Sequence, residues 1–296
     1  MEDGAARVIA EIEQELAAFA GTGGVAAKRL ETGEEIQVNA EVVTATASTI
    51  KVPILIELYR QIERGDVALD DRLRVTEETQ TRGSGILREL SLGVELSLHD
   101  VATLMIVVSD NTATNMLIDL VGLERVNATM AEFGFPGTRL VRRLDFPAIG
   151  KDARNLAVTT PAELAGIMEA LGTGRILSDA SREGILEMMR RQHHLNLVPR
   201  YLPYNPYAEE LGESDNGLRI ANKTGGWTGM RADMALIEWS GVRYAIGIVT
   251  EGDPDTRFWA ENAGDRLIGR ISQRIFRHFG GGVLDEEATP PGPAEL

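Results

Sequence analysis

Met230-Arg231-Ala232-Asp233-Met234-Ala235-Leu236-Ile237-Glu238-Trp239, then Ser240-Gly241, then Val242-Arg243-Tyr244-Ala245-Ile246-Gly247-Ile248-Val249-Thr250, is the stretch that decides the fold. Its residues alternate or run apolar without helical spacing, and Ser240-Gly241 is a tight-turn pair, so 230–239 and 243–250 are two strands of a hairpin. A third strand, 218–222, precedes them, and a closing helix is expected over 256–279. At the other end of the chain, Val8, Ile9, Ile12, Leu16 and Phe19 stand at helical spacing. Two short strands, 24–29 and 35–39, follow around Glu31-Thr32-Gly33-Glu34.

Between these ends the period becomes helical. Segments 48–64, 98–107, 111–121, 123–133, 161–171 and 178–191 carry apolar spacings of three and four. Thr160-Pro161 with Glu163 starts one of them, threonine as the cap and proline at the first helical position. Strands at both ends with helices between predict an α+β chain. An α/β sandwich lobe of antiparallel sheet with flanking helices is built from 1–45 and 215–279, and an all-helical lobe, 46–214, is inserted into it. Residues 280–296, with Pro290-Pro291 and several acids, read as a loose tail. A cleft between two such lobes is where a small-molecule site belongs.

Composition narrows the function classes. The chain has 296 residues, 43% of them apolar and 25% charged, enough for a sizeable core. A net charge of −15 repels a phosphate backbone, so neither nucleic acid nor an anionic membrane is an expected partner. There is no cysteine, which removes disulfides, thiolate metal sites and cysteine nucleophiles. No apolar run approaches the roughly 20 residues of a membrane span, and Met1-Glu2-Asp3-Gly4 does not open a signal peptide. The chain is expected to be cytoplasmic as written or a mature exported form, a monomer, and without metal or other cofactor.

Three short motifs carry chemistry. Ser48-Thr49-Ile50-Lys51 places a hydroxyl and an amine one helical turn apart. The serine needs a base to become a nucleophile, and the lysine is one only if burial or a second cation lowers its pKa from about 10.4. Lys223 offers that cation. Ser109-Asp110-Asn111 follows the apolar run Leu104-Met105-Ile106-Val107-Val108, which sets its side chains at the end of a buried helix. Lys223-Thr224-Gly225, at the end of a strand, offers a cation, a hydroxyl and a residue small enough for close approach. Each motif alone reads equally well as a cap, a turn or a surface lysine. Ser-Asp-Asn even occurs a second time, at Ser214-Asp215-Asn216, in a polar loop.

The three in order, with Gly83-Ser84-Gly85-Ile86-Leu87, Thr112-Ala113-Thr114-Asn115 and Gly229-Met230-Arg231, resemble the class A β-lactamase-like serine hydrolases of the β-lactamase and penicillin-binding protein superfamily over residues 5–279. The resemblance implies that Ser48 forms an acyl-enzyme, Lys51 accepts its proton, and Ser109 relays a proton to the leaving nitrogen. It implies that Asn111 orients the acylamide chain, that Lys223 and Thr224 of Lys223-Thr224-Gly225 hold the substrate carboxylate, and that Arg231 adds a second contact to it. It further implies an oxyanion hole from the N–H groups of Ser48 and Gly226.

One part of the family pattern departs. Where an arginine-x-glutamate-proline loop supplies the water-activating base, this chain reads Arg142-Arg143-Leu144-Asp145-Phe146-Pro147. Asp145 keeps the spacing but is one methylene shorter, a misplacement that costs on the order of 10²-fold. A salt bridge to an arginine is the bland alternative for it. The expected function is therefore β-lactam opening through Ser48 with slow deacylation. A D-Ala-D-Ala carboxypeptidase, an esterase or a covalent penicillin-binding protein is the alternative. Trp227 is a second departure, placed to narrow the cleft, stack on substrate or cover the sheet. His193-His194 reads as surface or core histidine, and Tyr201, Tyr204 and Tyr207 as cleft rim or packed loop.

Overall fold

The computed structural model describes residues 2–208, 210–214 and 216–280. The chain begins with α1 (Glu2–Ala18), β1 (Thr22–Arg29), β2 (Glu35–Val38), β3 (Thr44–Ala45), a 3-10 turn (Ala47–Ile50) and α2 (Lys51–Glu63). Then come β4 (Arg72–Arg74), β5 (Glu95–Ser97), α3 (Leu98–Val107), α4 (Asn111–Val121) and α5 (Leu123–Glu132). After β6 (Arg139–Leu140), α6 (Phe146–Ile149) and β7 (Ala157–Thr159) stand α7 (Pro161–Thr173) and α8 (Asp179–Arg190). The chain closes with β8 (Arg219–Trp227), β9 (Met230–Trp239), β10 (Val242–Glu251) and α9 (Ala263–Phe279).

The five long strands form one sheet in the order β2-β1-β10-β9-β8, antiparallel at every pairing given a register. The two ends of the chain meet in it through β1 and β10, where Val25 faces Ile248. The turn of the decisive hairpin has positive φ at both Ser240 (50°) and Gly241 (81°), the twist a two-residue connection needs. One face of the sheet packs under α1 and α9, with Ile12, Val25, Ile246, Ile271 and Phe276 buried together. The other face joins a second core with Leu55, Leu58, Met105, Leu117 and Leu171 of the helices. The outcome is the expected α+β arrangement of an antiparallel sheet with flanking helices.

Three boundaries differ from the periodicity reading. The closing helix begins at Ala263 and not near 256, because Asn262 caps it by accepting from the Asp265 amide at 3.2 Å. The strand read as 218–222 runs to Trp227, so Lys223-Thr224-Gly225 lies within β8, where pairing with β9 continues through Gly226↔Arg231 and Trp227↔Met230. The block read as all-helical also holds β4–β7, which form two small sheets with β3 (Thr44–Ala45) at its edge; strands of two or three residues carry no period to read. Among the described residues no helix is long and apolar enough to cross a membrane. The predicted loose tail falls, from residue 281 on, outside the described residues.

Candidate active site

Ser48 sits in the 3-10 turn that leads into α2, half-buried and directly after Ala47, whose φ is +44°. Holding a residue with a Cβ there costs roughly 1–3 kcal/mol, and such strain persists only where the surroundings over-determine it. Here they do. Strand β8 passes so close that a Cβ on Gly225 would lie 2.7 Å from the Thr46 carbonyl oxygen and 2.9 Å from the Ser48 amide nitrogen. Only glycine lets the sheet edge approach the serine this way.

Lys51 opens α2 and is 1% exposed. Its Nζ donates to the Ser109 carbonyl at 2.6 Å, to Ser109 Oγ at 3.0 Å and to Asn111 Oδ1 at 2.9 Å. Burial, and then the field of Lys223, hold this amine well below the ordinary lysine range, with Asp110 opposing them. Lys223 is fully buried; its Nζ donates to Ser109 Oγ at 3.1 Å and to the Thr224 carbonyl at 2.9 Å. Burial pushes it down to about 7 against the pull of Asp233. Ser109 thus bridges two amines, both poorly tolerated as cations, and it holds that place with φ at +55°. A hydroxyl beside an amine that prefers to be uncharged can be deprotonated at neutral pH, and a second hydroxyl between two amines can pass a proton.

The frame of this cluster comes from Asp110. Its carboxylate caps α4 by accepting from the Ala113 amide at 2.9 Å, and accepts from the Ile86 and Leu87 amides at 2.6 and 2.8 Å. The loop 83–87 is thereby fastened across the helix start, with Ser84 Oγ donating to the Ser109 carbonyl at 2.6 Å. A Cβ on Gly85, whose φ is +102°, would meet Asp110 Oδ2 at 2.2 Å.

Ser48, Ser109, Asn111, Thr224, Gly225, Gly226 and Arg231 all line one cleft of about 1130 Å³. Lys51 and Lys223 reach the same place from below through Ser109. Two of the candidates behave differently from expectation. Asp145 does not line the cleft. It is exposed, and its carboxylate caps α6 by accepting from the Ala148 amide at 3.3 Å. Nor does it pair with Arg143, which binds Asp119 at 3.2 Å and the Glu78 carbonyl at 2.6 Å. Leu144 and Phe146, on either side of Asp145, line the cleft instead, as do Gly150 and Lys151 further along the loop; Leu144 is 6% exposed and pinned on both sides by Asn115, whose side chain accepts from the Leu144 amide and donates to its carbonyl. Arg231 is the second case. Its Nε donates to Asp265 Oδ1 at 2.6 Å, and its terminal nitrogens donate to the carbonyls of Trp227, Met230 and Arg257. Phe258 covers its face at 4.4 Å. This guanidinium is a strut of the cleft wall.

Trp227 stacks on Phe146 with ring centroids 5.3 Å apart and planes 8° from parallel, tying α6 to the end of β8. His194 lines the cleft while His193 does not, so the pair divides between site and surface. Adjacent identical residues gave no signal for that split; it depends on a loop conformation set by Gln192. Tyr204 packs against the outer core, Tyr207 is 56% exposed, and among the described residues no tyrosine lines the cleft. The second Ser-Asp-Asn copy also lies away from it, in a turn where Asn216 accepts from the Leu218 amide; its Asp215 is outside the described residues.

A sequence model of the beta-lactamase enzyme family matches residues 6–279. A beta-lactamase of Rhodobacter capsulatus is 27% identical over 234 residues, 78% of this chain and 75% of that one. The crystal structure of beta-lactamase from Sphaerobacter thermophilus superposes with a TM-score of 0.80 at 32% identity, covering 98% of this chain and 100% of that one. A structure of PBP-A gives 0.80 at 29% identity, covering 93% and 96%. A leucine-to-glutamate variant of PBP-A, solved as its acyl-enzyme complex with penicillin G, gives 0.81 at 28%, covering 93% and 97%. With a match that takes in nearly the whole described chain, the protein belongs to the beta-lactamase enzyme family and is a serine β-lactamase-like hydrolase.

Proposed function

We propose that Ser48 is acylated by β-lactams and that the acyl group leaves slowly. One observation carries this reading. Two depressed amines converge on Ser109, which lines the same cleft as Ser48, while the one carboxylate lining that cleft among the described residues, Asp265, is taken up by Arg231 and Asn196. In the proposed first step uncharged Lys51 takes the Ser48 proton and Oγ bonds to the lactam carbon. The C–N bond breaks, and Ser109, resupplied by Lys223, delivers a proton to the leaving nitrogen. The Ser48 and Gly226 amides would hold the carbonyl oxygen; losing such a donor costs on the order of 10²–10³ in rate. Asn111 would take the acylamide chain, and Thr224 with Lys223 the carboxylate.

Release needs a water and a base. With Asp145 turned outward and Leu144 turned inward, no free carboxylate among the described residues lines the cleft to supply that base. The same facts favour a second reading, a D-Ala-D-Ala carboxypeptidase or esterase that takes up β-lactams as covalent inhibitors; the penicillin G adduct of the PBP-A variant supports it.

Intact-protein mass followed over time with a chromogenic cephalosporin tests both. A single burst of colour with an adduct that persists, and that Ser48→Ala abolishes, is the expected result. Continuous colour without a lasting adduct would overturn slow release, and an adduct on the Ser48→Ala protein would overturn the mechanism.

A further inference from the structure

Phe258 is 71% exposed, yet its ring is held in place. The Arg231 guanidinium lies 4.4 Å from the ring centre and is itself fixed by Asp265 and by the carbonyls of Trp227, Met230 and Arg257. The ring's edge closes on β8, where a Cβ on Gly226 would lie 3.0 Å from Phe258 Cε1. With one face on Arg231 and an edge on Gly226, what stays open is largely the second face, and Phe258 lines the cleft. Trp259 lines it too; its Nε1 donates to Asp255 Oδ2 at 3.0 Å, and the Arg257 guanidinium lies 4.0 Å from its ring. Alternation along β8 decides which part of a substrate this wall meets. Thr224 and Gly226 are two residues apart, so they share one face of the strand and stand roughly 7 Å apart. The other face belongs to Gly225, whose Cβ would meet the Ser48 amide, and to Trp227, which stacks on Phe146. Phe146 flanks Gly83 together with Asn111 Nδ2, so that stack lies on the Asn111 side of the cleft and Phe258 on the Thr224 side.

We propose that Phe258, with Trp259 beside it, is a specificity-determining wall that selects substrates carrying a planar, unsaturated group on the carbon next to the one that bears the carboxylate. The inference rests on the β-lactam reading above. With the carboxylate at Thr224 and the lactam oxygen at the Gly226 amide, the substituent beside the carboxylate falls on the face that Thr224 and Gly226 share, where the Phe258 ring stands. The face of an aromatic ring is its negative side, a poor seat for a carboxylate and a good one for an offset-stacked π system. Arg231, to which the resemblance gives a carboxylate contact, lies behind that ring. An aromatic contact thus stands where an ionic one was expected. Because the ring is already clamped, little side-chain freedom is lost when a substrate stacks on it.

The test compares two cephalosporins with the same acyl side chain, one with a styryl and one with a methyl group on the carbon next to the carboxylate-bearing one. The second-order rate of lactam ring opening is read by absorbance with protein in excess, so that slow release of the acyl group does not enter. The ratio of the styryl rate to the methyl rate is the measured quantity. In Phe258→Leu, which keeps an apolar side chain but removes the ring, that ratio should fall about fivefold, the worth of one aromatic pair. Phe258→Tyr keeps the ring and should hold the ratio within about twofold of the unmodified protein. An unchanged ratio in Phe258→Leu overturns the inference, and this includes an equal loss of rate with both compounds, the mark of a merely structural role. A fall in Phe258→Tyr as large as in Phe258→Leu also overturns it. If the unmodified protein opens neither compound, the β-lactam reading falls first and the inference with it.

Discussion

Leu144 and Asp145 are neighbours with opposite environments, and their substitution separates two accounts of release. Asp145 stands outside the cleft as a helix cap, so Asp145→Ala should leave acylation and release unchanged. It should lower stability by about 1 kcal/mol, the usual loss for an N-cap, measurable by urea denaturation. Leu144 faces the cleft with its backbone clamped by Asn115 at 2.9 and 3.1 Å. Leu144→Glu therefore places a carboxylate on that wall without moving the loop. The adduct lifetime measured by mass should shorten at least tenfold, against a stability loss of roughly 1–3 kcal/mol for burying a polar group there. An unchanged lifetime in Leu144→Glu would mean that release is limited by something other than the missing base. The sequence could not sort this pair. An arginine-x-acid spacing matches at Asp145, whereas which of two adjacent side chains turns inward is decided by Asn115, 29 residues earlier.

Elements whose own residues close their hydrogen bonds were legible; those completed by distant partners were not. Helices α3 and α4 and strand β9 lie where spacing puts them, because each presents one apolar face or run to a core made of its neighbours. Strand β8 is longer than read. Gly225-Gly226 looks like a strand end until β9 is in register with it, and the extra residues deliver Trp227 to Phe146. That stack joins the four-residue helix α6 to the sheet. Removing it should free residues 141–156. An aromatic pair of this kind contributes about 0.5–1.5 kcal/mol beyond its buried area. Losing the stack in Trp227→Ala should thus lower the melting temperature by about 1–6 °C for a chain of this size, and limited proteolysis should cut first within 141–156. Cleavage elsewhere would mean that Arg142, bonded to the Ala148 and Asn155 carbonyls, holds the loop alone.

Across the whole molecule the site depends on charge buried where the sheet meets the helices. Asp233, fully buried on β9, accepts from the Val198 amide at 3.0 Å and from Asn222 Nδ2 at 3.2 and 3.1 Å. Burial raises it to about 7, and its charge raises Lys223 in return. A folded pKa above the unfolded value of 3.8 means that its stabilising contribution is full below pH 4 and is lost as pH rises through about 7. Asn222 Oδ1 is buried without a partner, so an amide at 233 can donate to it, and Asp233→Asn should fold. In that variant the stability measured by urea denaturation should fall less between pH 4.5 and 7.5 than in the unmodified protein, by about 3 kcal/mol. Acylation should respond in the opposite sense. Its rate rises with pH as Lys51 loses its proton and falls as Lys223 loses its own near 7. Without the Asp233 anion Lys223 gives up its proton more easily, so the falling limb of the adduct-formation profile should move to lower pH while the rising limb stays. A falling limb that does not move would mean that Lys223 acts on the substrate without being charged, and the proton resupplied to Ser109 would then have to come from solvent.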